Sequence, residues 1–261
     1  AASERHLGDY WPGNKGDIGN IRINNDNGNY DRYAESIKNN KIPDTNYRMH
    51  SRLAKVGWNL PANQRLQLSY LQTQTTSPIA GTLTNLGTRP PYELGWKRTG
   101  YSDVMARNAA FDYSLAPEGV DWLDFQAKLY YVDTQDDSDT YSTSSLLDNG
   151  YATRTRLRTY GAQAQNTSRF SLAPGHDFRA NYGLEFYYDK ATSDSSREGM
   201  EGVTPAGNRS VGSLFANLTY DYDGWLTLEG GLRYDRYRLR GQTGLSYPDL
   251  AKDGQRYTID N

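Results

Sequence analysis

Along residues 122–132, WLDFQAKLYYV, apolar and polar side chains alternate strictly. Leu123, Phe125, Ala127, Leu129 and Tyr131 share one face, while Asp124, Gln126, Lys128 and Tyr130 share the other. Residues 178–189 repeat the pattern, with Phe178, Ala180, Tyr182, Leu184, Phe186 and Tyr188 opposed to Arg179, Asn181, Gly183, Glu185, Tyr187 and Asp189. Period two with one polar face is the signature of a half-buried strand, because a helix would scatter these residues around its circumference. Extended along the chain, the alternation predicts eight strands near 48–60, 65–77, 104–116, 122–138, 153–173, 178–192, 210–222 and 225–242.

The predicted connections fall into two classes. Pro61–Gln64, Pro117–Asp121, Pro174–Asp177 and Asp223–Gly224 are tight and carry the Pro, Gly, Asn and Asp that turns require. Residues 78–103, 139–152, 193–209 and the stretch from 243 are long and polar. Short and long connections alternate, which is how a bacterial outer-membrane barrel sorts its periplasmic turns from its extracellular loops. The fold class expected is all-β, a segment of a large antiparallel transmembrane β-barrel.

Aromatic residues give a second line of support. Trp58, Trp122, Trp225 and Tyr222 lie close to the tight turns, whereas Tyr131, Tyr160, Tyr188 and Tyr234 lie on the apolar face nearer the long loops. The two rows are separated by about ten residues within a strand, and a tilted strand needs ~9–11 to cross the hydrocarbon layer. The 153–173 run would be about 65–70 Å long at ~3.3 Å per residue, so it should project beyond the bilayer. Composition agrees: 22 Tyr and 5 Trp stand against 6 Phe, a skew toward rings that sit well at a membrane–water boundary. Mean hydropathy is low, −0.86, but a strand that shows lipid only at every second residue dilutes its own average.

Other features narrow the function. No run approaches the ~20 apolar residues of a spanning helix. The opening, AASERHLGDYW, does not read as a signal peptide, which creates the expectation of a mature or internal piece. Residues 1–47 read as an extracellular loop, 48–242 as eight membrane strands and 243–261 as the start of another extracellular loop. Eight strands could close a minimal barrel, but the loop-like start and the polar end TIDN favour part of a wider one. There is no Cys, so disulfides and thiolate metal sites are excluded, and a net charge of −2 gives no footprint for nucleic acid. No nucleophile motif, phosphate-binding glycine loop or metal-ligand spacing appears, so an enzyme is not expected.

The hairpin YDGWLTLEGGLRYDRYRLRG (222–241) is similar to strands of the TonB-dependent outer-membrane receptors. Three further segments, LGDYWPGNKGDIGNIRINND (7–26), IAGTLTNLGTRPPYELGWKRTGY (79–101) and TQDDSDTYSTSSLLDNGYATRTRLRTYGAQAQ (134–165), resemble the haemophore and haem receptors within that family. The resemblance implies TonB-dependent uptake of haem, free or delivered by a secreted haemophore. It also implies an N-terminal plug and a TonB box, neither of which lies in this chain. The family's two haem-ligating histidines sit on the plug and on an extracellular loop downstream of the matched region, so no haem ligand and no bound cofactor is expected here. A passive porin-like channel is the alternative, and a soluble β-rich binding module a third reading.

Several residues carry individual expectations. His6 and His50 lie on or near the extracellular side and could touch haem in passing, although a plain surface or strand-end histidine accounts for both; His176 falls in a periplasmic turn. The run Asp133, Asp136, Asp137, Asp139 evokes a calcium loop but lacks the Gly and closing Glu of an EF-hand, so a solvated strand extension is the plainer reading. Arg154, Arg156 and Arg158 share the parity of Tyr160; Arg236, Arg238 and Arg240 share that of Tyr234; Lys190 shares that of Tyr188. These cations should point outward above the extracellular girdle, where guanidinium groups match the phosphates of lipopolysaccharide. Solvated charge on an extended strand is the alternative, and a β-bulge would flip the parity. Tyr10, Trp11, Tyr92, Trp96 and Tyr101 are loop aromatics suited to contacting a haemophore, or to packing loop against loop.

Overall fold

The computed structural model describes residues 1–11, 41, 44–79, 82–85, 94–97, 99–141, 150–197, 206–243 and 257–260. Their backbone forms strands: β1 (Ala2–Leu7), β2 (Tyr47–Leu60), β3 (Gln64–Ile79), β4 (Thr82–Asn85), β5 (Leu94–Lys97) and β6 (Gly100–Leu115). After these come β7 (Phe125–Thr140), β8 (Tyr151–Ala173), β9 (His176–Ser195), β10 (Ala206–Tyr222), β11 (Leu226–Thr243) and β12 (Tyr257–Asp260). Ten of them make one antiparallel sheet in the order β1-β2-β3-β6-β7-β8-β9-β10-β11-β12, and β4 and β5 form a separate two-stranded hairpin. The eight long strands are the eight that alternation predicts, most of them extended by a few residues at the long-loop end.

The register shows that this sheet is barrel wall. The cross-strand row that starts at Leu60 passes through Gln64, Leu115 and Phe125, then through Asn166, Tyr182 and Ala216. It arrives at Leu232, well inside β11, whose first residue is Leu226. The turn ends are level from β2 to β7 and again from β8 to β11, and the stagger a tilted barrel requires falls at the β7–β8 pairing, where Phe125, the first residue of β7, lies opposite Asn166, seven residues before the end of β8.

Following the same rows assigns each side chain to a face. One face carries Val56 and Trp58, Leu66 and Leu68, Phe111 and Tyr113, Leu129 and Tyr131, Leu184 and Phe186, Leu214 and Leu218, and Leu232 and Tyr234. The other carries Gln67, Asp112, Lys128, Gln163, Glu185, Asn217 and Arg233 on the same strands. No hydrophobic side chain is buried among the described residues, and Leu232 is 84% exposed. A sheet of this length with no core makes sense only where lipid covers the apolar face.

The polar, lumenal face is kept flat by aromatic rings lying over glycines. Tyr130 is the direct partner of Gly161, and a Cβ there would collide with the Tyr130 ring. Phe215 lies likewise over Gly183, its Cζ 2.7 Å from where a Cβ would sit. The turn at Asp223–Gly224 has both residues at positive φ, 49° and 71°, the left-handed pair that matches strand twist; Asp221 accepts the Gly224 amide at 2.9 Å.

Three expectations need correction. Residues 1–47 are not wholly loop, because β1 pairs with the outer half of β2, from Ala2 opposite Arg52 to Leu7 opposite Tyr47. Its sequence, ASERHL, has no apolar face; it lies beyond the girdle, where backbone pairing suffices and period-two hydrophobicity is not needed. For the same reason 243–261 contains β12, paired with Arg240–Thr243. The strand expected from 122 starts at Phe125. Trp122 stands in the preceding turn, where its carbonyl accepts from Asn166 Nδ2 at 3.0 Å and Ser168 Oγ at 2.8 Å.

The face assignment makes a mutational prediction. Replacing Leu214, mid-strand on the apolar face, by Arg should cost about 2–4 kcal/mol of barrel stability, whereas Gln163→Arg on the lumenal face should cost less than about 1 kcal/mol. Urea unfolding of the refolded full-length barrel in lipid measures both.

Candidate functional site

The residues that could do more than hold the wall together form three groups: an outward cluster above the upper tyrosines, a lumenal set of ion pairs, and the roots of the loops. The outward cluster is built on β6 to β9. Tyr131, Tyr160 and Tyr188 are consecutive partners in one row, with the Tyr131 and Tyr160 ring centroids 4.9 Å apart. One step further along each strand, on the same face, is the row Arg107, Asp133, Arg158, Lys190. Asp133 is 3% exposed, and a carboxylate so placed needs partners. Arg156 clamps it in a fork, Nε to Oδ1 at 2.6 Å and Nη2 to Oδ2 at 2.7 Å. Arg107 Nη1 donates to Oδ2 at 3.2 Å, and Arg158 Nε stands 3.8 Å from Oδ1.

The aspartate run is thus divided by parity. Asp133, Asp137 and Asp139 point outward, and Asp136 points inward, where it accepts from Ser102 at 2.9 Å and Ser138 at 2.8 Å. Asp137 holds Arg154 Nε at 2.5 Å. Asp133 is a buried structural carboxylate, not a solvated one, because three arginines cover it. Among the described residues no group of three or more acidic or histidine side chains is placed to hold a metal ion.

The parity expected for the arginines is the parity observed. Arg154, Arg156 and Arg158 share the face of Tyr160, and Lys190 that of Tyr188. Arg236, Arg238 and Arg240 share the face of Tyr234, opposite Gly212, Ser210 and Asn208. The only register shift in the β8–β9 pairing lies between Ser171 and Ala173, at the tight-turn end and far from the triplet. Sequence reading missed Arg107 as a member of the cluster; the signal lay in cross-strand register, which the sequence does not print.

The lumenal face carries its own pairs. Asp189, 6% exposed, accepts from Arg209 Nη2 at 2.6 Å and Thr159 Oγ1 at 2.7 Å, while the Arg209 guanidinium lies 5.4 Å from the Tyr187 ring centre. Arg233 bridges Glu185 at 3.2 Å, Asp235 at 2.8 Å and Ser213 at 2.9 Å. Lys128 lies 3.5 Å from Asp112.

The histidines do not converge. His6 and His50 are on the outward face, with His50 Nδ1 4.0 Å from Glu4. His176 opens β9, beside Tyr220 OH at 2.8 Å. Of the loop aromatics, Tyr10 and Trp11 are exposed where the first loop leaves β1, and Tyr101 sits near the start of β6 on the outward face. Trp96 falls on β5, opposite Leu83, and Tyr92 lies outside the described residues.

The root of the first loop is closed by one carboxylate. Asp9 Oδ1 accepts Asn46 Nδ2 at 2.9 Å and the Thr45 and Asn46 amides at 3.0 Å each, while Thr45 Oγ1 accepts the Tyr10 amide. The Asn46 side chain, with the two amides, holds the Asp9 carboxyl below its usual range despite partial burial.

Two predictions follow from these contacts. Asp133→Ala should leave Arg107 and Arg156 without their shared anion and cost about 1–3 kcal/mol in unfolding of the full-length barrel, with Asp136→Ala costing less. Because the folded Asp9 pKa is lowered, its contribution is complete above the unfolded value of about 3.9 and is lost as pH falls through the folded value. Hydrogen exchange at the Thr45 and Asn46 amides should accelerate over that acid range, and Asp9→Asn should remove the pH dependence.

Comparison with known proteins places the sheet. The family model described as TonB dependent receptor-like, beta-barrel matches residues 8–258. A solved structure of the Serratia marcescens hemophore receptor HasR, a double mutant in complex with its hemophore HasA and heme, aligns with TM-score 0.74 and 73% identity over 99% of this chain. The hemophilin receptor of Acinetobacter baumannii is 25% identical over 214 residues, 76% of the chain. The FrpB iron transporter from Neisseria meningitidis aligns over 100% of the chain at TM-score 0.61 and 17% identity, a likeness of fold alone. The chain spans 35% of the HasR chain and 20% of the hemophilin receptor.

Proposed function

The chain belongs to the family of TonB-dependent receptor-like β-barrels, and from that premise we propose that it is part of the wall and outer loops of an outer-membrane haem receptor served by a secreted haemophore. The observation that carries this reading is 73% identity to a hemophore receptor across 99% of the chain, which takes in the loops as well as the strands. Wall strands are constrained by lipid and backbone pairing in every family member, so they say little about cargo. Loops carry no such constraint, and likeness there reflects shared partners.

On this reading the chain supplies scaffold. Its lumenal face is polar, its charges are largely neutralised by neighbours, and its rings lie flat over Gly161 and Gly183, a surface that a moving plug could slide against. On this reading Tyr10 and Trp11, at the root of one loop, and Trp96 and Tyr101, at the next, face the haemophore side. Haem is cargo here, its ligands lie in other parts of the receptor, and coupling to TonB runs through those parts as well. A receptor of this kind binds and moves its cargo without chemical change, so no catalytic group is assigned.

The rival is a passive channel. Expressed in a strain that lacks its own haem uptake, the full-length protein should restore growth on haem or haem-loaded haemophore as sole iron source. That growth should vanish when TonB is deleted. Growth that persists without TonB would sink the receptor reading in favour of the open pore.

A further inference from the structure

Arg158 and Lys190 are direct cross-strand partners on the outward face, with Arg158 Nε 3.8 Å from Asp133 Oδ1. Like charges opposite one another in a ladder are destabilising. Here the unfavourable pair persists beside a buried carboxylate, Asp133, already saturated by the fork from Arg156 and the bond from Arg107. Four cations, Arg107, Arg156, Arg158 and Lys190, surround Asp133, while Asp103, Asp137 and Asp194 flank Arg154 in the outward row beyond them. Asp133 fixes the guanidinium planes without neutralising the group, and Lys190 is exposed.

The position of the cluster names its ligand. It lies one step along the strands from Tyr131, Tyr160 and Tyr188, rings that mark the boundary of the apolar band at the long-loop end. An anion there must be part of the outer leaflet, with its charge at headgroup depth and its chains lying along Leu129, Ala162 and Phe186 below. We propose that Arg158 and Lys190, with Arg107 and Arg156 held by Asp133, form a binding site for a phosphate group of the lipopolysaccharide that surrounds the barrel. Arg158, with the N–H groups of Arg107 and Arg156 that Asp133 does not engage, donates to phosphate oxygens, Lys190 supplies a point charge, and the phosphate relieves the Arg158–Lys190 repulsion. This inference rests on the reading of the chain as outer-membrane wall, but not on haem as the cargo.

The test uses full-length receptor purified from outer membranes and exchanged into lipid-free detergent, with retained lipopolysaccharide counted by native mass spectrometry. Arg158→Glu combined with Lys190→Glu should lower retention about ten-fold, the loss of one or two charge-assisted hydrogen bonds. The lumenal pair Lys128→Glu and Arg179→Glu, equal in charge change, should leave retention as it was. If the reversed variant does not assemble, Arg158→Gln with Lys190→Gln tests the same site. In a second arm, stripped receptor is titrated with phosphorylated lipid A, dephosphorylated lipid A, phosphatidylglycerol vesicles and inorganic phosphate. Phosphorylated lipid A alone should raise the unfolding temperature, and the Gln variant should abolish that shift. Equal shifts with both forms of lipid A, a shift with any anionic lipid or with inorganic phosphate, or retention indifferent to Arg158 and Lys190 would each overturn the proposal. Growth on haem is scored separately, so failure of cargo uptake and failure of this site remain distinguishable.

Discussion

A wall one strand thick has no interior, so its backbone hydrogen bonds cannot be hidden in a core or handed to water. In lipid each N–H and C=O must find a partner on a neighbouring strand, and the unbroken ladders from β2 to β11 are how this chain meets that requirement. Once the ladders are fixed, each side chain has only two directions available. The apolar band, the aromatic rows, the lumenal charge pairs and the outward arginines are all consequences of which parity a residue occupies. Register thus does the work that packing does in a soluble domain, and a shift of one residue in a strand would turn its lumenal charges toward lipid.

Against that background the two buried carboxylates are informative. Asp133 on the outward face and Asp189 on the lumenal face lie close together at the upper end of the wall, each clamped by an arginine from an adjacent strand. Both tie neighbouring strands where they rise past the bilayer and lose the support of lipid. Ion pairs in water contribute little, but a desolvated carboxylate whose geometry is fixed by a two-pronged guanidinium is strongly committed to that geometry. The wall is therefore pinned on both sides at the height where the long strands begin to project.

Period two was enough to place eight strands and the face of each girdle aromatic within them, because lipid imposes hydrophobicity on one parity only. The same logic explains what escaped. β1 and β12 pair beyond the girdles, where neither face needs to be apolar, and ASERHL carries no alternation to read. Trp122 looked like the first residue of β7 because it continues the pattern on paper, yet its carbonyl serves the Asn166 and Ser168 side chains of β8. Asp133 was read along the chain, as one of four acids, when its role is set across the sheet by Arg107 and Arg156. Residues whose meaning lies across strands are invisible until the pairing is known.

Charge is arranged differently on the two faces. On the lumenal side Lys128, Arg179, Arg209 and Arg233 each have a carboxylate within 4 Å, in Asp112, Glu229, Asp189 and Glu185. Pairs so compensated have little long-range field. The outward cluster leaves cations in excess, at the level where the surrounding leaflet carries its own negative charge. Paired charge on one face and clustered cations on the other are thus kept apart by parity alone.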